Sequence, residues 1–254
     1  MVDNSLARQV YRLHLAFVKK INDVHIFAQQ AIPLLQEARE TYESSSHKKD
    51  RRYYVPSIGR TKFARRTDKE LKLIYERFIT GELYENLIVT AISQFESMLF
   101  EVLALVIHSY PQKLTLSVQG IQVERNVPIE VILQSDNLES VLAEVIRRRI
   151  SAVSYASPRA YLEYLNNVAG IKTSDPAFLN YIEIKAARDV IVHNAGIIND
   201  VYIQKAEDKS RGNLGDRLVI DSDYFDHCVA TLKRVSGIIQ RDVEKNFPKD
   251  TNSA

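Results

Sequence analysis

Residues 84–110 read YENLIVTAISQFESMLFEVLALVIHSY, and this stretch decides the fold. Ile88, Ile92, Phe95, Leu99, Val102 and Val106 recur in steps of four and three, the period of one helical face. The run stops just before Pro111, as a helix does when the next residue disfavours α geometry in its neighbour. Gln94, Glu96 and Glu101 interrupt it, and charges near the middle of a span are too costly for a bilayer helix. The stretch reads as the core helix of a bundle, with no membrane role.

The same period extends on both sides. Upstream, Thr67-Asp68-Lys69-Glu70 is a capping box that opens a helix, and Gly81 is a point where that helix can kink. Further upstream, Val10, Leu13, Phe17, Ile21, Val24, Ala28, Ala31, Leu35, Ala38 and Tyr42 form one long stripe that Pro33 should bend. A helix of that length serves either as an antiparallel partner or as a dimer seam. Downstream, helices are expected at 129–134, at 138–155 after the cap candidates Ser135 and Asp136, and at 158–168 after Ser157-Pro158 and before Gly170. Another runs from Asp175-Pro176 to about His193, where Asn194-Ala195-Gly196 stops it. A final helix follows a cap at Asp221 or Ser222, at about 223–246, with Phe225, Val229, Leu232, Val235 and Ile239 inward. Residues 113–124 alternate about Gly120 like a short hairpin, and Arg217–Ile220 reads as a brief strand.

Composition agrees with an all-α fold. Only 8 Gly and 7 Pro in 254 residues leave few turn formers, so the elements are few and long. A single cysteine, Cys228, excludes an intrachain disulfide and a cysteine-cage metal site, and fits a reducing compartment. The opening MVDNSLARQV lacks a basic region followed by an apolar run, so the cytoplasm is the expected location. The expected organisation is an N-terminal helical arm over 1–43, a basic loop over 44–66, an all-α core over 67–247 and a frayed tail over 248–254.

Charge singles out the loop. The chain carries only +2, yet residues 47–66 hold Lys48, Lys49, Arg51, Arg52, Arg60, Lys62, Arg65 and Arg66 against Asp50, a local +7. Such a segment suits a polyanion such as RNA, with Tyr53, Tyr54 and Phe63 available to stack on bases. The plain alternative is a solvated connector. Ser44-Ser45-Ser46, Pro56 and Gly59 speak against a regular element there.

The chemistry concentrates in Lys185-Ala-Ala-Arg188-Asp189-Val-Ile-Val-His193-Asn194, a cation, a carboxylate and an imidazole within two turns of a helix end. Asp189 and His193 lie four apart, as do Lys185 and Asp189, so the carboxylate can orient the ring or simply make ordinary helix-surface pairs. Arg188 offers a guanidinium for phosphate oxygens and His193 a proton acceptor near neutral pH. Glu96 lies about 90° from the centre of its stripe, where a solvated boundary carboxylate is favoured over a partner for Arg188. Arg147-Arg148-Arg149 spans most of a helix circumference, so at most two can face one RNA path. No phosphate-binding glycine loop follows a strand, and the six histidines never pair at metal-site spacing, so neither metal nor cofactor is expected. His227 and Cys228 are helix neighbours about 100° apart and make a poor nucleophile pair.

The Arg188-Asp189-Val190-Ile191-Val192-His193-Asn194 segment resembles the signature of the HEPN superfamily. The following Ala195-Gly196, the Leu218–Asp221 lead into a terminal helix, and Gln94–Leu99 on the earlier helix strengthen the likeness, which covers about 84–245. The resemblance implies an all-α bundle that forms homodimers around a shared cleft. It also implies metal-independent endoribonuclease activity in a toxin–antitoxin or phage-defence setting, with a cognate antitoxin or defence partner. By the resemblance, Arg188 stabilises the scissile phosphate and His193 transfers the proton, with Lys185, Asp189, Asn194 and Glu96 supporting. The family often has Asn after the arginine; Asp189 adds negative charge there. A non-catalytic helical interaction module is the other class the segment allows. Helix geometry favours a dimer independently, since Arg188 and His193 differ by about 140° and 7.5 Å of rise and do not share a face. The long N-terminal stripe offers apolar surface for holding two chains together.

Overall fold

A computed structural model describes residues 5–59, 62–121 and 126–248. The tail beyond Pro248 and Arg60 of the basic segment lie outside the described residues. The fold is all-α, 73% helix and 5% strand. Its centre is helix α3 (Leu83–Ser109), on which Ile88, Ile92, Phe95, Leu99, Val102 and Val106 are fully buried. The span Asp68–Ser109 is long and apolar enough to cross a membrane, yet this face is packed by protein. Each such side chain contributes about 1.5–3 kcal/mol by leaving water.

Helix α1 (Leu6–Glu43) is a wall of the same bundle and not a free arm. Its stripe residues Val10, Phe17, Ile21 and Ala28 are buried against α3 and the last helix, α9 (Ser222–Asn246). Phe17 meets Phe95 edge-on at 5.5 Å, and His14 and His25 bond to Ser236 and Asp226 at 2.9 and 2.8 Å. The apolar stripe expected to help hold two chains together is thus covered within one chain, fully at these four residues and partly at the rest. Pro33 sits inside the helix without ending it.

Toward its C-terminal end, α1 runs beside α2 (Asp68–Arg77), forming a two-helix stalk with Tyr42 against Tyr75 at 5.6 Å. The capping box at Thr67 is present, with Thr67 N–H donating to Glu70 at 2.7 Å. Between α2 and α3 the helix does not break at Gly81; Phe78–Glu82 form one π turn, closed by Leu83 N–H on Phe78 C=O.

The basic segment is no loop. It forms an antiparallel β-hairpin, β1 (Arg51–Val55) with β2 (Lys62–Arg66), at the far end of the stalk. Both strands are almost wholly exposed, so no hydrophobic alternation announces them. The reverse correction applies to 113–124. Pro111–Thr115 is a 3-10 turn and residues 116–121 carry no strand, while 122–125 lie outside the described residues. Buried Arg149 holds this connection by donating to the carbonyls of Leu114 and Leu116 at 2.7 and 2.9 Å.

The remaining helices fall near their expected bounds: α4 (Ile129–Gln134), α5 (Leu138–Ser154), α6 (Pro158–Ala169) and α7 (Pro176–His193). The α5 cap is Asn137 and not Ser135 or Asp136, because its side chain alone reaches Ser140 N–H, at 2.9 Å. A short helix, α8 (Asp200–Ala206), follows α7, and Arg217–Ile220 contributes a single bridge to Ile197 in place of a strand.

Candidate functional site

The end of α7 is built by its stop signal. Asn194 N–H and Gly196 N–H both return to Val190 C=O, at 2.9 and 3.1 Å, with Ala195 and Gly196 at φ +51° and +77°. Gly196 is suited to this left-handed geometry, and a side chain at its Cβ would also approach the Arg217 guanidinium. Asn194 closes the turn through its side-chain amide on Ile197 C=O at 2.5 Å. Arg217 then ties it to α3, donating to Ala195 C=O at 3.2 Å and to Glu85 at 2.9 Å. His193 stands exposed on this clamped turn, and its ring makes no hydrogen bond or ion pair among the described residues.

One and a half turns back, Arg188 points the other way, into the body. Its Nη2 donates to Glu96 Oε2 at 2.7 Å and its Nη1 to Asp189 Oδ1 at 3.0 Å, while Nε is buried without a partner. Lys185 also binds Glu96, and Lys205 of α8 reaches Asp189 Oδ2 at 3.0 Å. Glu96 is therefore no solvated boundary residue. Its side chain is 11% exposed and shared by two cations of a facing helix, which compensate its charge.

The helix-surface pairs expected at four-residue spacing are absent for the same reason. Asp189 is occupied by Arg188 and Lys205 and does not orient His193, and Lys185 turns to Glu96. Three cations share two carboxylates, leaving an excess charge of +1 in a half-buried setting. Burial, and after it the Arg188 charge, pulls the Lys185 ammonium down to about 8. The Glu96 carboxylate against it acts in the opposite direction.

Behind this cluster lies a carboxylate that the sequence pattern did not reveal. Glu183 is buried and accepts from Tyr202 Oη at 2.8 Å and Tyr224 Oη at 2.9 Å, tying α7 to α8 and α9. Burial raises its pKa, and the two phenols partly offset this. Lys205 escaped notice too, because α8 is only seven residues long. Asn199-Asp200 was its one readable signal: the Asn199 side chain accepts from Tyr202 N–H at 2.9 Å. Cys228 is buried, which pushes its thiol pKa up. No group of three His, Cys, Asp or Glu side chains is positioned to hold a metal among the described residues.

The basic residues are elsewhere. Glu96 lies about 40 Å along the α2–α3 helix from Asp68, where the hairpin is attached, so one chain does not bring the hairpin and the α7 cluster together. Within the hairpin region, Arg51 is bound to Asp68 at 2.6 Å, whereas Arg52, Lys62, Arg65 and Arg66 are exposed, with Lys48 and Lys49 in the preceding turn. Arg147 and Arg148 pair with Glu144, and Arg149 is buried, so this triplet offers no common cationic face.

No protein-family model matches the sequence. No curated protein and no solved structure is similar enough to identify a relative.

Proposed function

We propose that this chain is a metal-independent endoribonuclease of the HEPN kind, acting in the cytoplasm as a homodimer in a toxin–antitoxin or phage-defence setting. The carrying observation is an exposed imidazole, His193, without a partner among the described residues, on the same helix as Arg188 and its cluster of three cations and two carboxylates. In this reading His193 takes the proton of a ribose 2′ hydroxyl. The 2′ oxygen then bonds to the adjacent phosphorus, the bond to the 5′ oxygen breaks, and water protonates that leaving oxygen. Arg188 and the excess positive charge offset the charge that builds on the phosphate.

Arg188 and His193 lie about 140° apart around α7, so they act on one phosphate most simply across a two-fold axis, the Arg of one protomer serving the His of its partner. The test is cleavage of a mixed-sequence RNA in chelator. His193→Ala should lower the rate at least about 100-fold. Retained cleavage in that variant overturns the catalytic assignment.

One observation favours a second reading, a non-catalytic dimerisation module. Both terminal nitrogens of Arg188 are already held, by Glu96 and Asp189. Absence of cleavage by the unaltered chain across several RNAs, with the dimer intact in sedimentation, selects that reading.

A further inference from the structure

The hairpin register sorts its residues onto two faces that differ in kind. Directly paired residues share a face and successive residues alternate. One face therefore carries Arg51 with Arg66, Tyr53 with Ala64 and Val55 with Lys62; the other carries Arg52 with Arg65 and Tyr54 with Phe63. The first is turned toward the stalk, where Arg51 holds Asp68 and lies 5.7 Å from the Tyr42 ring centre. The second is turned to solvent. Tyr54 and Phe63 are 64% and 59% exposed, with ring centres 6.4 Å apart. Neither Arg52 nor Arg65 pairs with a carboxylate among the described residues.

We infer that this outer face, Arg52, Tyr54, Phe63 and Arg65, is a binding platform for single-stranded RNA, separate from the α7 cluster. The two exposed rings stand edge to face, their planes 77° apart, so each offers its own face to an unpaired base. Arg52 and Arg65 sit about 7 Å further along the ribbon, so their guanidinia can reach the phosphates of the same short run. The surrounding segment, at +7 with Asp50 its one acid, supplies the long-range attraction. Duplexes fit less well, because their bases are already stacked. The choice of RNA over other single strands rests on the proposed ribonuclease reading; the surface itself does not. RNA held here lies well away from Arg188 and His193 of the same chain, so the platform captures a strand without presenting it to the local site.

Binding of a fluorescent mixed-sequence single-stranded RNA, measured on the full chain carrying His193→Ala, tests this without cleavage and without depending on it. Tyr54→Ala and Phe63→Ala should each weaken binding about 5-fold or more. Arg52→Gln with Arg65→Gln should flatten the plot of log affinity against log salt by about 1.4. Lys19→Gln with Lys20→Gln removes equal charge from an exposed stretch of α1 and should leave both readings unchanged. Helix content by circular dichroism should stay constant in every variant, because the ribbon lies outside the core. The inference is overturned if the ring variants bind normally, if the α1 variant loses as much as the hairpin variants, or if a matched RNA duplex binds more tightly. It is equally overturned if Tyr54 and Phe63 instead mediate capture of phosphatidylserine vesicles while RNA is not bound.

Discussion

Helix α1 passes through two different environments. At Phe17 and Ile21 it is walled in by α3 and α9, while just past His25 it exposes Phe27 and, further on, Leu34 at 56% and 66%. The body is held by apolar packing around α3. The stalk buries little beyond Leu71 and Asp68, and is held by polar contacts, Arg51 and Ser45 on Asp68 and Lys72 on Glu43, together with the tilted ring pair Tyr42 and Tyr75. Apolar packing is cooperative and makes the body unfold as a unit, whereas a few polar anchors allow a region to open by itself. The difference matters because the proposed chemistry belongs to the first region and the proposed RNA platform to the second.

The contrast can be broken most forcefully in the core. Phe95→Ala should destabilise the whole chain by about 3–5 kcal/mol, read as a large fall in the thermal midpoint. A small fall would mean that α3 is not the centre of the bundle. Next, Glu96→Gln leaves Lys185 and Arg188 without their shared counter-charge and should destabilise by about 3 kcal/mol in denaturant titrations. Little change would place the cluster in a wetter setting than its burial implies.

In the stalk the effects shrink and stay local. Thr67→Ala removes the cap of α2 and should weaken that helix by about 1 kcal/mol, seen as faster hydrogen exchange over 68–77 without matching loss over 88–106. Asp68 sharpens the comparison through pH. The bonds from Arg51, then from Ser45, hold its carboxyl at about 2, below the ordinary 3.8. A carboxyl lowered on folding stabilises above its unfolded pKa, and that contribution is lost as pH falls toward the folded value. Hairpin amides should thus stay protected down to about pH 4 and lose protection between about 4 and 2; in Asp68→Asn they should be unprotected at every pH. Smallest of all, Phe27→Ala should move the global midpoint by no more than about 0.5 kcal/mol.

The helices were the legible part of the sequence and the hairpin the illegible one, for the same physical reason. Burial on one side writes a period into a helix, so α3, α6 and α7 could be read from stripes and caps such as Ser157-Pro158 and Asp175-Pro176. The hairpin buries neither face, so its strands carry only charge and aromatic rings, and the segment looked like a loop. Conversely, the alternation over 113–124 was misleading, because Pro111 and the buried Arg149 draw that chain into a compact turn. At the site, Arg188 and His193 were visible from their spacing, and so were Lys185 and Asp189. Of their true partners, Glu96 was only the less favoured alternative and Lys205 was not seen, since both meet them only once three helices have packed, and no local pattern encodes that meeting.

The π turn at Phe78–Glu82 has a consequence for how this chain tolerates changes in length. A turn closed by a bond five residues back stores one residue more than an α turn, so it works as slack in an otherwise taut thread. Removing one residue at Gly81 would take up that slack and leave an unbroken helix whose two halves still face their neighbours. The same deletion at Ile92 would swing every later side chain of α3 by about 100° away from the surface it fits.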